Sequence, residues 1–292
     1  EMADYLRDID PHQHLVTTSS DTGDAFGLIW DLNSIDQRVT ALEGSGDITL
    51  GSATLTANTS ASLINFEGVI SGTGGFTKTG SGTLMLSGAN TYTGDTHINN
   101  GTLRLSGSGD LSNYTDITVA AGATFDLNNK DQTFNSLAGA GSITLGTASL
   151  TTGNNTTSTT LSGSISGSGG LIKEGSRSFT LSGVNTYTGA TTINSGTLQL
   201  SGSGDLADSA AVSVAFNATF DLNDTDQTIG SLTGEGDVTL GAGDLSIGSD
   251  DSNSTFSGTL SGTGGLTKIG TGTFTLSDAN IPIHGLNNAK TK

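Results

Sequence analysis

The feature that most constrains this chain is a repeat of 95 residues that runs almost three times without an insertion or deletion. Its copies appear in the phrases ISGTGGFTKTG, ISGSGGLIKEG and LSGTGGLTKIG, whose first glycines are Gly72, Gly167 and Gly262. A period kept this strictly indicates units that stack on their neighbours in a fixed register, because a shift in one unit would misplace all later side chains.

Within each unit, apolar residues alternate with polar ones over four to six positions and are then interrupted by Gly, Asn, Asp or Ser. GTLMLSG (82–88) and TDITVAAG (115–122) are examples. This alternation predicts short β-strands, and no segment of the repeat predicts a helix. Such strands could build a sandwich, a barrel, a propeller or a solenoid.

The length of the repeat favours a parallel β-solenoid, because a sandwich has no reason to repeat at 95 residues and a propeller blade needs only about 40 to 50. A solenoid coil of about 20 residues would place about five coils in each unit. We expect identical Asn, Thr and Ser at equivalent positions to stack as ladders, with apolar residues stacked inside.

The formal net charge of −18, with ten Lys and Arg in all, predicts no nucleic-acid or anionic-membrane partner. No apolar run approaches the roughly 20 residues of a spanning helix, so we expect no membrane insertion by this segment. There is no cysteine, which excludes disulfides and thiolate metal sites. The chain begins with Glu1 and stops inside a repeat, so we expect targeting segments to lie outside it.

The string LSGANTYTGDTHINNGTLRLSG (86–107) and its copy LSGVNTYTGATTINSGTLQLSG (181–202) resemble the autotransporter-associated β-strand repeat, also called the passenger-associated transport repeat. The positions that carry the resemblance, to which we assign structural roles, include Lys78, Asn90, Tyr92, Gly94, Lys173, Asn185, Tyr187, Gly189 and, in the third copy, Lys268. The resemblance implies a right-handed parallel β-helix in an extracellular or outer-membrane-surface bacterial protein, often an adhesin or a stalk.

The two ends of the chain depart from the repeat. Residues 1–30 have no counterpart in it and are either a cap or a remnant, since residues 1–20 resemble a fragment of a TIM-barrel glycoside hydrolase. Residues 2–10 predict a short helix and residues 14–20 a strand. Residues 31–280 form the predicted β-helix, and residues 281–292 are an aberrant tail that we attribute to a frameshift.

Catalysis by a carboxylate pair is a possible function, because many β-helices cleave polysaccharides. Asp126 and Asp131 are the most suggestive pair, but they recur 95 residues before and after, as Asp31 and Asp36 and as Asp221 and Asp226. An active site should occur once, whereas turn and ladder residues recur in every unit. The sequence therefore predicts that this segment is not an enzyme.

Candidate ligand sites are equally sparse. The four histidines neither repeat nor cluster with carboxylates at metal-ligand spacing. The segment GEGDVTLGAGDLSIGSDD (234–251) is similar to a calcium-binding nonapeptide array but lacks its tandem form, so we predict no cofactor beyond weak surface calcium. Tyr92 and Tyr187 could stack on a glycan, although their place inside the motif favours a structural role.

Together these observations predict a secreted or cell-surface structural or adhesive stalk. Its partner would be a host or environmental glycan or protein, and its oligomeric state is left open. One alternative is a non-catalytic accessory region of a secreted carbohydrate-active enzyme, which would bind polysaccharide and hydrolyse it only as part of a longer chain. Another is a lyase or hydrolase within the β-helix itself.

Overall fold

The structure is a computed structural model that describes residues 14–17, 29–60, 62–277 and 286–287. The regular elements of these residues are all short β-strands, and no helix in the described part of the chain could span a membrane. The predicted all-β class is therefore confirmed.

The chain divides into two compact units, Glu1–Asn135 (unit 1) and Ser136–Lys292 (unit 2). The strands of unit 1 are β1 (His14–Thr17), β2 (Ile29–Asp31), β3 (Gln37–Val39), β4 (Ala41–Gly44), β5 (Asp47–Thr49), β6 (Leu55–Asn58), β7 (Leu63–Phe66), β8 (Ile70–Ser71), β9 (Phe76–Thr79), β10 (Thr83–Leu86), β11 (Thr96–Ile98), β12 (Thr102–Leu105), β13 (Asp116–Val119), β14 (Thr124–Asp126) and β15 (Gln132–Phe134).

Unit 1 is a parallel β-solenoid, as predicted. Its strands form one sheet in the order β1-β4-β7-β10-β12-β14, a second in the order β3-β6-β9-β11-β13, and a third in the order β2-β5-β8. Neighbouring strands lie one coil apart in sequence, since Phe76 pairs with Thr96, which pairs with Ile117. Parallel pairing between residues about 20 apart is the expected signature of a solenoid coil.

The strands of unit 2 are β16 (Ser136–Gly139), β17 (Ser142–Thr144), β18 (Leu150–Thr152), β19 (Thr159–Leu161), β20 (Ile165–Ser166), β21 (Leu171–Lys173), β22 (Ser178–Leu181), β23 (Thr191–Ile193), β24 (Gly196–Leu200), β25 (Ala211–Val214), β26 (Ala218–Asp221), β27 (Gln227–Ile229), β28 (Ser231–Gly234), β29 (Asp237–Thr239), β30 (Leu245–Ile247), β31 (Ser254–Phe256), β32 (Thr259–Ser261), β33 (Leu266–Lys268), β34 (Phe274–Leu276) and β35 (Leu286–Asn287).

Unit 2 repeats the parallel arrangement. Two of its sheets are long, with the orders β16-β19-β22-β24-β26-β29-β32 and β18-β21-β23-β25-β28-β31-β34. Two are shorter, β17-β20 and β27-β30-β33-β35. The registers described within these sheets are again parallel, for example Phe179 with Leu198 and Leu198 with Phe220.

The core of each unit lies inside the coils and follows from the alternation of the sequence. In unit 1, Leu84 of β10 stacks on Leu103 of β12, which stacks on Phe125 of β14. All three side chains are fully buried, whereas the residues next to each of them along its strand are partly exposed. Stacked aliphatic and aromatic residues remove apolar surface from water, which is the main favourable contribution to folding.

Residues 95 positions apart do not all share a sheet. In unit 2, β21 and its copy β33 belong to different sheets, as do β22 and its copy β34. A unit of 95 residues is thus not a whole number of coils. The side chains that stack are one coil apart, about 20 residues, and need not be identical.

The described residues at the two ends extend these sheets. The strand predicted at residues 14–20 is seen as β1, whose His14 pairs with Ala41. In unit 2, Leu286 pairs with Leu266 through β35 and β33. The predicted helix at 2–10 and most of the 281–292 tail lie outside the described residues.

Candidate functional site

The repeated positions of the sequence bring polar side chains into the solenoid interior, where they bond the main chain of adjacent coils. Lys78 ends inside a turn and is fully buried. Its Nζ donates to the main-chain oxygens of Thr79 and Gly80 in its own coil, both at 2.8 Å, and of Asn100 in the next coil, at 3.1 Å. We call this arrangement the lysine bridge.

The lysine bridge recurs in unit 2. Lys173, which is 1% exposed, donates from Nζ to the main-chain oxygens of Glu174, Gly175 and Ser195, the last at 3.2 Å. Three acceptors match the three hydrogens of an ammonium group, so the buried charge has a full set of partners.

Burial lowers the pKa of both Lys78 and Lys173 to about 8, because the charged ammonium loses contact with water. The carboxylate of Glu174 opposes this effect for Lys173 by raising its pKa. Both lysines are therefore mainly protonated at neutral pH and carry the hydrogen bonds of the bridge.

Asn90 forms a second bridge, which spans three successive coils. Its Oδ1 accepts from the main-chain N–H of Ile70 at 3.0 Å, one coil before. Its Nδ2 donates to the main-chain oxygens of Gly88 at 2.8 Å and Asp110 at 3.1 Å, the latter one coil after. The coil has no regular strand at residues 90–95, and the asparagine bridge adds to the main-chain bonds that join it there to the adjacent coils.

The same bridge occurs in unit 2. Asn185 accepts from Ile165 N–H and donates to the oxygens of Gly183 and Asp205, each at 2.9 Å. Asn90 is 3% exposed and Asn185 is 2% exposed. Both side chains therefore use their amides entirely inside the protein and are not available to an external ligand.

Tyr92 and Tyr187 are fully enclosed, so neither ring is placed to stack on a glycan. The hydroxyl of Tyr92 bonds Thr96 Oγ1 at 2.7 Å, and that of Tyr187 bonds Thr191 Oγ1 at 2.6 Å. The Tyr92 ring also packs against Phe76, with ring centroids 6.2 Å apart. Burial raises the pKa of both tyrosines.

Gly94 and Gly189 lie where the backbones of two adjacent coils are in close contact. A Cβ at Gly94 would lie 2.4 Å from the oxygen of Gly74, and one at Gly189 would lie 2.3 Å from the oxygen of Gly169. Only a residue without a side chain fits between such backbones. Gly94 N–H donates to Gly74 O at 3.1 Å, so the close approach is itself a hydrogen-bonded contact.

Comparison with known proteins identifies the segments that carry these bridges. The model of the family described as "Passenger-associated-transport-repeat" matches residues 76–105, 171–200 and 266–281. These segments are therefore similar to passenger-associated-transport repeats, and we call them the transport repeats. The predicted resemblance is therefore confirmed, and the two complete transport repeats contain both bridges, the buried tyrosine and the close-packed glycine.

A longer relationship covers most of the chain. The chain is 35% identical over 266 residues, 88% of its length, to a protein named "Adhesin BmaC autotransporter" from Brucella suis biovar 1 (strain 1330). Those residues span 8% of that adhesin, so the chain corresponds to a small part of its relative. No solved structure matches the chain.

The third transport repeat, 266–281, is described only in its first part. Lys268 Nζ donates to the main-chain oxygens of Ile269 and Gly270, which are the counterparts of two of the three acceptors of Lys173. The positions equivalent to Asn185, Tyr187 and Gly189 lie outside the described residues.

Two buried glutamines, which are not among the residues predicted from the sequence, bond the main chain of an adjacent coil in the same way. Gln132 Oε1 accepts from Leu111 N–H at 3.1 Å, and Gln227 Oε1 accepts from Leu206 N–H at 3.0 Å. Both are nearly fully buried. Their spacing of 95 residues was a usable signal, but they follow an aspartate in a polar phrase that is typical of an exposed turn.

The recurring aspartates hold the main chain. The Oδ1 atoms of Asp31, Asp126 and Asp221 each accept from the N–H two residues later, at 2.8, 2.9 and 3.0 Å. Asp36 Oδ1 accepts from Thr54 N–H at 2.7 Å and Asp226 Oδ1 from Asp244 N–H at 2.8 Å, each one coil later. These bonds are those of turn and ladder residues, in agreement with their recurrence.

A polar groove of about 290 Å³ on unit 2 is lined by carboxylates, among them Asp205, Asp208, Asp226 and Asp244. Asp226 and Asp244 already accept main-chain N–H groups, the latter from Gly265 at 2.6 Å. The described residues contain no group of three or more His, Cys, Asp or Glu placed to hold a metal ion. Weak calcium binding by residues 234–251 stays a prediction.

Proposed function

We propose that this chain is part of an autotransporter passenger, a non-catalytic β-solenoid stalk that bacteria secrete and display on the outer surface for adhesion. The observation that carries the proposal is that each complete transport repeat contains a buried lysine and a buried asparagine that bond the main chain of adjacent coils. The similarity to an autotransporter adhesin over 88% of the chain supports the adhesive role.

The placement of side chains supports a structural rather than a catalytic role. The lysine and asparagine of both complete transport repeats are buried and bonded to the main chain, so the repeat specifies a rigid scaffold. The outward-facing positions of the short strands carry mainly Thr, Ser, Asn and Asp. Such a surface offers many weak hydrogen-bonding positions, and the partner we propose is a host or environmental glycan or protein.

Surface display is tested on intact cells that express the full-length parent gene. Antibodies raised against this chain should label intact cells, and external protease should remove the signal without releasing a cytoplasmic marker. Labelling that requires permeabilised cells would overturn the proposed location.

Adhesion is tested with the purified chain on arrays of immobilised glycans and extracellular proteins. Retention of the folded chain, and its loss after heat unfolding, is the expected result; no retention on any surface would contradict an adhesive role for this segment. In the same samples, release of reducing ends from a bound polysaccharide by this chain alone would contradict the proposed lack of catalysis. Release only by the longer parent chain would favour the accessory region of an enzyme.

A further inference from the structure

The exposed turn at Asn100–Gly101 in the first transport repeat is chemically distinct from its copy. It is the one Asn-Gly pair in the sequence. Its copy in the second transport repeat is Ser195–Gly196, within otherwise similar strings INNGTL and INSGTL. The two strings therefore differ at one position only, where residue 100 has a side-chain amide and residue 195 has a hydroxyl.

The geometry of the turn brings the reacting groups together. Gly101 N–H donates to Oδ1 of Asn100 at 2.8 Å, which holds the main-chain nitrogen close to the side-chain amide group. Gly101 has a φ of 67° and no Cβ to obstruct its nitrogen. Asn100 is exposed, which gives water access to its amide.

Lys78 bears directly on the same peptide group. Its ammonium donates to the main-chain oxygen of Asn100 at 3.1 Å. A cation on this oxygen withdraws electron density from the Asn100–Gly101 peptide and favours loss of the proton from Gly101 N–H. The lysine bridge thus activates the nitrogen that would attack.

We infer that Asn100 is a site of spontaneous deamidation in the folded protein. Gly101 N forms a bond to Asn100 Cγ, the bond from Cγ to Nδ2 breaks, and ammonia leaves with the proton from Gly101 N–H. Water then opens the resulting succinimide at either of its two C–N bonds. The products are aspartate or isoaspartate at position 100, each with one added negative charge beside Lys78.

The modification is measured by peptide mass spectrometry after prolonged incubation of the folded chain in neutral buffer, in which Lys78 stays mainly protonated. Conversion should concentrate at residue 100 and disappear in Asn100→Ser. The reciprocal change, Ser195→Asn, recreates the same string beneath the Lys173 ammonium and should create a second reactive site. An unmodified residue 100 in the folded chain, when a synthetic 96–105 peptide deamidates under the same conditions, would overturn the inference.

The contribution of Lys78 is tested in the S195N chain, where residue 195 is an internal reference. Adding Lys78→Met should lower conversion at residue 100 several-fold relative to residue 195. Simple loosening of the turn would raise that ratio, so an unchanged or increased ratio would remove Lys78 from the mechanism. An S195N chain that stays unmodified at residue 195 while residue 100 reacts would show that the shared bridge does not activate the turn.

Discussion

The two complete transport repeats, residues 76–105 and 171–200, share their buried polar contacts and differ at several outer positions. In both, a buried lysine bonds three main-chain oxygens and a buried asparagine bonds three main-chain groups in successive coils. The exposed or half-exposed positions differ: Asp95, His97, Asn100 and Arg104 of the first copy correspond to Ala190, Thr192, Ser195 and Gln199 of the second. The repeat therefore specifies the contacts between coils and leaves the outer surface free to vary.

The strongest test of this comparison removes the asparagine bridge. Asn90→Ala leaves Ile70 N–H and two main-chain oxygens without their side-chain partner, so we expect a loss of about 3 kcal/mol in the free energy of unfolding. Asn185→Ala should cost a similar amount. The measurement is urea unfolding, with the exposed Asn99→Ala as the control of small effect. A loss smaller than that of Asn99→Ala would contradict the claim that the asparagine bridge stabilises the contact between coils.

The lysine bridges predict a pH dependence. Both lysines have a pKa of about 8 in the folded chain, below their ordinary value near 10.5. Between pH 8 and 10 the unfolded chain holds protons that the folded chain has lost, so the free energy of unfolding rises with pH, by about 2 kcal/mol for each lysine. Below pH 8 both states are protonated and this contribution is constant.

Urea unfolding at several pH values measures this rise, which should halve in Lys78→Met and vanish in the double variant with Lys173→Met. The range must end near pH 10, because the buried tyrosines have raised pKa values and stay neutral in the folded chain while they ionise in the unfolded chain. That effect lowers stability at higher pH. A rise that survives in the double variant would refute the role given to the lysines.

The buried hydroxyl pairs provide a smaller effect. Tyr92→Phe leaves Thr96 Oγ1 without its partner, so we expect a loss of about 1 kcal/mol, and the equivalent Tyr187→Phe should match it. Adding Thr96→Val to Tyr92→Phe should recover part of the loss, since both polar groups are then absent. Thermal unfolding measures all three variants, and additive losses in the double variant would contradict a direct bond.

The smallest effect on stability is expected for a substitution on the outer surface. Arg104 lies 3.2 Å from an Asp126 carboxylate oxygen, and its counterpart Gln199 donates to Asp221 at 2.8 Å. Replacing the first pair by the second, Arg104→Gln, should change the free energy of unfolding by less than about 1 kcal/mol, because a partly exposed ion pair contributes little. A larger change in urea unfolding would show that the surface also holds the coils together.

The sequence predicts the strands because side chains along a strand alternate between its two faces. It predicts the solenoid because stacked units keep a strict period. It also predicts structural roles for Tyr92 and Tyr187, whose rings are enclosed in the structure. The number of coils in one repeat is not predictable in this way, since the repeat length of 95 residues does not fix the length of a coil. The partners of Lys78 and Gln132 are main-chain groups about 20 residues away, and main-chain groups leave no pattern in a sequence.

Residue-resolved amide hydrogen exchange at Ile70 and Ile165 tests the central claim most directly, because these N–H groups bond asparagine side chains. We expect both to exchange as slowly as strand amides in the unmodified chain, and Asn90→Ala to accelerate Ile70 while Ile165 stays slow. Rapid exchange at both positions in the unmodified chain would contradict the claim that the repeated side chains hold the coils together.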